Sequence, residues 1–235
     1  MYVTLQYIKE EWFEINGIKE GMYKSYHENG KHMGTLSDIG VFSFSIPKII
    51  TTGQGGMIVT NDKSLYERCI ALKDFGRDMN AKKDMLKAFQ HDTIGYNFKF
   101  TEFQAAVGIA QMKKLPDRIV KKKKMFQSYK ELLTNNRLIE FVETDLTKIT
   151  PWMIDILLKS KKTKEQLIKY LEKQNIGTRI FYPPIHRLKP YKNSDIQYKN
   201  TSDISDRALW LPSSVTLTDD KIQLICKEMN KFLKT

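Results

Sequence analysis

Cysteine is nearly absent: Cys69 and Cys226 are the only two in 235 residues, far apart and each on an apolar, helix-like stretch. That excludes a disulfide framework and a cysteine-rich zinc site, and both read as buried core thiols. No run of apolar residues approaches the length that spans a bilayer. The opening Met1-Tyr-Val-Thr-Leu-Gln-Tyr-Ile-Lys-Glu also lacks the order of a secretory signal, so the expected location is cytoplasmic. Arginine is scarce for so basic a chain. Only seven of the 39 basic residues are Arg (Arg68, Arg77, Arg118, Arg137, Arg179, Arg187 and Arg207), against a net charge of +12. Nucleic-acid readout favours the planar Arg fork, whereas the lysines here are dispersed over helix faces, so neither nucleic acid nor membrane is expected as a partner. Even the densest run, Lys121 to Lys124, sits among Leu115, Ile119, Val120 and Phe126 in the pattern of a solvated helix face.

What is present is enough apolar material, 41% of residues, for one large domain or two small ones. The first thirty residues show no clean period of two or 3.6. After Gly30 the signals sharpen. Asp38 to Ser45 reads as a buried strand and Gly56 to Thr60 as a second, joined through Thr52-Gly-Gln-Gly-Gly56 into a hairpin-like unit. A helix follows over Ser64 to Lys73, another opens at the cap Thr101, and Pro116 heads a long one that reaches Thr134. From Trp152 a different unit begins, with strands at Trp152–Lys159 and Thr178–Tyr182 and helices at Thr163–Gln174 and Asp219–Leu233. No internal repeat is visible.

The stretch that carries chemistry is Asp38-Ile-Gly-Val-Phe-Ser43-Phe-Ser-Ile-Pro-Lys48-Ile-Ile-Thr-Thr-Gly-Gln-Gly-Gly56. A lysine just past an apolar strand, flanked by Pro47 and two Ile, is placed where water is thin, and a poorly hydrated amine is a nucleophile. Ser43, five residues earlier, can offer its hydroxyl to a phosphate, and the glycines beyond let the backbone approach a flat ligand. A lysine after a strand is also, quite ordinarily, a solvated strand end, and the residues by themselves leave that alternative open.

The segment Gly34 to Gly56 resembles the lysine motif of the DegT/DnrJ class of sugar-nucleotide aminotransferases. Three further segments agree in order: Ile94-Gly-Tyr-Asn97-Phe-Lys-Phe-Thr-Glu-Phe-Gln104, Gly177-Thr-Arg179-Ile-Phe-Tyr182-Pro-Pro-Ile-His186-Arg, and Leu209-Trp-Leu-Pro212-Ser-Ser. The wording around Lys48 and Tyr182 is nearest to the branch that makes GDP-perosamine. The resemblance implies an α/β fold: a partial large domain of the aspartate-aminotransferase fold over residues 1–115, a linking helix over 116–135, and a small α+β C-terminal domain over 136–235.

It also implies pyridoxal 5'-phosphate as cofactor, bound covalently by Lys48, with Ser43 on its phosphate and Asn97 reaching the phosphate of a neighbouring subunit. Arg179, Tyr182 and His186 fall on the segment that lines the nucleotide-sugar side. The implied reaction moves an amino group from glutamate to a 4-keto-6-deoxy sugar nucleotide. Dehydratases on the same fold carry His where Lys48 stands, so lysine favours amino transfer. The departure lies before Lys48, where only 47 residues stand for the family's phosphate helix, its stacking ring and its Asp-x-Ala-Gln/Glu motif. The nearest echo, Glu11-Trp-Phe-Glu14, puts Glu11 beside the pyridine nitrogen. The expectation is therefore an N-terminally truncated aminotransferase that works as a homodimer or with a chain supplying the missing half. The alternative is a catalytically inactive fragment that pairs with an intact aminotransferase.

Overall fold

The computed structural model describes residues 34–77, 89–192 and 197–233 with their side chains, and residues 3–7 by their backbone. Glu11 lies outside the described residues. The chain divides into two units, residues 1–119 with 147–150 and residues 120–146 with 151–235. The division falls inside α3 (Leu115–Leu133), which gives its first turn to one unit and the remainder to the other.

The first unit is built on β1 (Val3–Tyr7), β2 (Gly40–Ser43) and β3 (Gly56–Thr60), in the order β1-β3-β2. β2 and β3 pair antiparallel from Gly40↔Val59 to Ser43↔Gly56, as the glycine-rich connection requires. β1 adds to the other edge of β3 in parallel, and Val3-Thr4-Leu5-Gln6-Tyr7 does alternate apolar with polar, a period of two that the first thirty residues taken together hide. α1 (Lys63–Lys73) starts where Asp62 accepts the amides of Ser64 and Leu65. α2 (Glu102–Lys113) starts with a full capping box, in which the Thr101 hydroxyl takes the Gln104 amide while Gln104 takes the Thr101 amide.

Between these helices the chain crosses itself at two glycines. A Cβ on Gly95 would stand 2.0 Å from the Gly76 nitrogen, and one on Gly76 would stand 1.8 Å from the Thr93 carbonyl oxygen. No side chain fits at either position. The crossing lets Phe75 donate to the Tyr96 carbonyl and Phe98 to that of Lys73, so residues 96–98 run beside the end of α1.

The second unit holds an antiparallel sheet of order β4-β5-β7-β6, made of β4 (Ile139–Phe141), β5 (Ile154–Leu158), β6 (Arg179–Ile180) and β7 (Ala208–Leu211). Ile154, Ile156 and Leu158 alternate onto one face of β5 and are fully buried there. Against that core pack Phe126, Tyr129 and Leu133 of α3, Leu167 and Leu171 of α4 (Lys161–Lys173), and Ile222, Ile225 and Met229 of α6 (Asp219–Leu233). Each such side chain contributes roughly 1.5 to 3 kcal/mol by leaving water. Cys226 belongs to the same core, and burial pushes its thiol up to about 12. β6 is shorter than the strand read over Thr178–Tyr182: it ends at Ile180, with two residues between it and Pro183 and Pro184, neither of which has an amide to extend the ladder. Between β6 and β7 comes α5 (Lys199–Arg207). Among the described residues, no helix is long and apolar enough to cross a membrane.

Two expectations fail. Cys69 is only half-buried, on a helix with no fully buried residue, and so is no core thiol. Lys121 to Lys124 do not form a uniformly solvated face, because Lys122 is only 2% exposed. Its ammonium donates to the Ser213 carbonyl at 2.8 Å, and Tyr129, two turns further along α3, donates its hydroxyl to the Pro212 carbonyl at 2.8 Å. A four-lysine run reads as surface by composition, yet one member points inward at helical spacing and finds an acceptor there. Burial lowers the Lys122 pKa from 10.5 to about 8, with the Asp155 carboxylate opposing the shift. Burial also raises Asp155, eased by the indole N–H of Trp210 and then by Lys122.

The folded pKa of Lys122 lies below the unfolded one, so between these values the unfolded chain binds more protons. Stability therefore rises with pH across that window as the buried charge is released. Replacing Lys122 by Met abolishes this contribution. Denaturant melts read by the tryptophan fluorescence of the second unit should show the Lys122→Met protein gaining most relative to the parent at pH 8 and below. That relative gain should shrink by about 3 kcal/mol towards pH 10.5. Parallel profiles would show that the ammonium is not held in a dry site.

Candidate active site

Lys48 sits on the loop between β2 and β3, half-buried, with its amide donating to the Ser45 carbonyl at 3.1 Å in a tight turn. The loop closes on Phe44. Phe44 donates its amide to the Gly55 carbonyl at 2.9 Å, and its own carbonyl takes the Thr52 amide at 3.0 Å and the Thr51 hydroxyl at 2.9 Å. Two side chains from outside then hold the loop. Gln104 of α2 donates to the Gln54 carbonyl at 3.1 Å, and Arg118 donates to the Ile49 carbonyl at 2.8 Å while also gripping Gln111 Oε1 at 2.6 Å. Beneath them Ile50 packs with Leu115 and, less deeply, with Phe44, Met112 and Ile119. The lysine thus stands on a backbone fixed from both sides rather than on a free turn.

Ser43, at the end of β2, faces solvent with its hydroxyl 3.0 Å from that of Ser45. Ser45 also donates its amide to Ser43 Oγ at 3.3 Å, so two hydroxyls on one turn are presented together next to the lysine's own segment. Asn97 is exposed in the same unit. Its backbone bridges to Asp74, whose carboxylate is almost fully buried and takes Arg77 at 2.8 Å and Lys99 at 3.0 Å. Lys99 lies over the Phe75 ring, 4.5 Å from its centre. The segment that carries Asn97 is therefore anchored through Lys99, two residues on, to the buried Asp74 carboxylate.

Arg179, Tyr182 and His186 belong to the second unit and divide there into two settings. The Arg179 guanidinium lies over Trp210 at 5.2 Å and Tyr182 at 5.7 Å, and the Tyr182 ring meets Trp210 edge-on at 4.9 Å. Phe181 packs on the same indole at 5.1 Å. Arg179 and Tyr182 are exposed, so this aromatic platform offers a cation and a phenol to solvent. His186 does the opposite. It is 8% exposed, stacked on Tyr198 at 4.8 Å, with Nε2 3.0 Å from the Ser202 hydroxyl. Next to it Arg187 forks onto Asp206 at 2.6 and 3.2 Å, which holds the Asp206 carboxyl below the usual range. His186 binds the turn to α5, a placement the Pro183-Pro184 sequence does not reveal.

The profile of the DegT/DnrJ/EryC1/StrS aminotransferase family matches residues 20–230, nearly the whole chain. The chain belongs to that family. Over 220 residues it is 34% identical to a GDP-perosamine synthase of Escherichia coli O157:H7, covering 94% of this chain and 58% of that protein. Helicobacter pylori PseC, an aminotransferase of pseudoaminic acid biosynthesis, superposes with a TM-score of 0.75 at 26% identity, covering 89% of this chain and 57% of that one. A putative PLP-dependent aminotransferase from Bacillus cereus gives 0.72 at 26% identity, with 87% and 55% covered. The chain thus spans somewhat more than half the length of these relatives. Its fold is that of the type I aminotransferases, α/β with a small α+β C-terminal part, and the family's cofactor is pyridoxal phosphate.

Lys48 and the Ser45 hydroxyl stand on the braced loop, with the Ser43 hydroxyl beside them at the end of β2. Ser45, Gln104 and Arg118 were not singled out from the sequence. Arg118 lies seventy positions beyond Lys48 and no local signal ties the two. Removing its charge-assisted bond to Ile49 with Arg118→Met should speed hydrogen exchange of the amides from Ile49 to Gly53 by about 10- to 100-fold, with Arg118→Lys intermediate. Unchanged exchange would mean that the apolar contacts alone hold the loop.

Proposed function

We propose that this chain takes part in the pyridoxal-phosphate-dependent transfer of an amino group from glutamate to a 4-keto-6-deoxy sugar nucleotide. The branch favoured by its wording, and by its 34% identity to the E. coli protein, makes GDP-perosamine from GDP-4-keto-6-deoxymannose. The observation that carries this reading is Lys48 on a loop locked by Gln104 and Arg118, with two serine hydroxyls at hand. When bound, the cofactor supplies an electron sink for the carbon that exchanges nitrogen. Lys48 holds it, and once released its amine moves a proton at Nζ between cofactor and substrate carbons. Ser43 and Ser45 orient the phosphate, and Asn97 reaches the phosphate held by a partner subunit.

Arg179, on its aromatic platform, suits the anionic nucleotide with its planar fork, and Tyr182 supplies a stacking face and a hydroxyl. His186 serves the substrate side by keeping the Tyr182 turn in place through Ser202. Glu11 is the proposed acid beside the ring nitrogen, and a second chain completes the site. A second reading is an inactive module that pairs with an intact aminotransferase.

Incubating the full chain with pyridoxal phosphate, reducing with borohydride and mapping peptides distinguishes the two. The first reading expects label on Lys48, lost in Lys48→Ala and requiring about tenfold more cofactor in Ser43→Ala. Label spread over surface lysines, and the same in both variants, would leave the inactive module.

A further inference from the structure

β5, β7 and β6 set three unlike residues in one row across the sheet of the second unit. Asp155 stands opposite Trp210, and Trp210 opposite Arg179, so all three belong to the face away from the Ile154, Ile156 and Leu158 core. Two strand spacings, about 10 Å, part Asp155 from Arg179, with Trp210 in the row between them. Trp210 is 5% exposed, and its Nε1 is buried with no acceptor at full hydrogen-bonding distance among the described residues. Its N–H nevertheless draws the Asp155 carboxyl down, as does the Lys122 ammonium. The indole therefore has a carboxylate on its N–H side and a cation over its ring, the Arg179 guanidinium at 5.2 Å.

A carboxylate that draws on the N–H pushes electron density into the ring, and a richer ring holds a cation more firmly. A carboxylate bound straight to Arg179 would steady it too, but would fill the donors that a phosphate needs. Among the described residues no carboxylate does so. What meets the guanidinium instead is the Tyr182 hydroxyl at 3.4 Å. Arg179 is thus steadied through its ring platform while it remains exposed to an anion from solvent.

We infer that Asp155 is a positioning residue for the phosphates of the nucleotide, acting through the Trp210 indole on Arg179. This rests on the nucleotide part of the function proposed above and is read by binding rather than by amino transfer. The probe is GDP, titrated calorimetrically into the full chain. Its dissociation constant should rise about three- to tenfold in Asp155→Asn, which keeps the shape of the side chain and loses its charge. Plain Coulomb attraction gives the opposite sign, since removing a negative charge near an anion site tightens binding. Trp210→Phe, which keeps a ring and loses the N–H, should weaken GDP as well. With Arg179 already replaced by Met, Asp155→Asn should change the affinity less than about twofold, because the group it acts on is gone. In the parent chain the Trp210 indole N–H resonance, assigned by its loss in Trp210→Phe, should move downfield as GDP engages Arg179 and the ring polarises further.

Equal or tighter GDP binding in Asp155→Asn overturns the inference. So does the same loss in the Arg179→Met background, or an indole resonance indifferent to GDP. A chain that ignores GDP altogether overturns it together with the nucleotide part of the proposed function. Lys48 labelling reports on the rest of that function separately.

Discussion

Both backbone groups of Phe44 are spent on closing the loop that carries Lys48. Its amide goes to Gly55, and its carbonyl takes the Thr52 amide and the Thr51 hydroxyl, so eleven residues are folded back onto one position. The rest of the first unit's site depends on that closure. With the ends pinned, Ile50 can turn in against Leu115, and the Ile49 and Gln54 carbonyls face out towards Arg118 and Gln104. A lysine on an open loop of this length would lose most of its positional value to chain entropy. Here the entropy is surrendered once, on folding, and the lysine inherits a fixed base.

The second unit solves a different problem, that of fastening polar segments to a sheet. α5 has few apolar residues to bury and is held by hydrogen bonds instead: Lys164 to the Ser205 carbonyl, Ser205 to the Tyr182 carbonyl, and His186 to Ser202. Lys122 and Tyr129 fasten the Pro212-Ser213 turn in the same manner. Such ties are directional. They set the path of the chain more sharply than apolar contact does, at the cost of leaving costly orphans when one partner is removed. Two segments that resemble the family motifs, around Tyr182 and Pro212, are both held by ties of this kind.

Elements with a strong local signal were readable in advance. The capping box at Thr101, the apolar face of α6 and the glycine-rich turn before β3 all lie within a few residues of what they specify. Elements decided by distant partners were not. β4 is three residues long, β7 is a four-residue apolar run that a helix could equally contain, and α5 has no apolar period. The candidate site divides along the same line. Lys48 and Ser43 are five residues apart, on the braced loop and at the end of the strand before it, whereas Arg118 and Gln104 act across fifty residues or more. Lys122 looked like surface because its acceptor lies ninety-one positions away.

The glycine crossing at Gly76 and Gly95 has a bearing on how this gene tolerates change. Any side chain there collides with backbone, whether or not the protein does chemistry, so those positions record only that the chain must fold. Ser43 is exposed and Lys48 half-buried, and shape alone demands neither. In a set of naturally drifting copies of this chain, glycines kept while Lys48 wanders would mark a scaffold retained for its surface. Glycines and lysine kept together would mark one retained for its reaction.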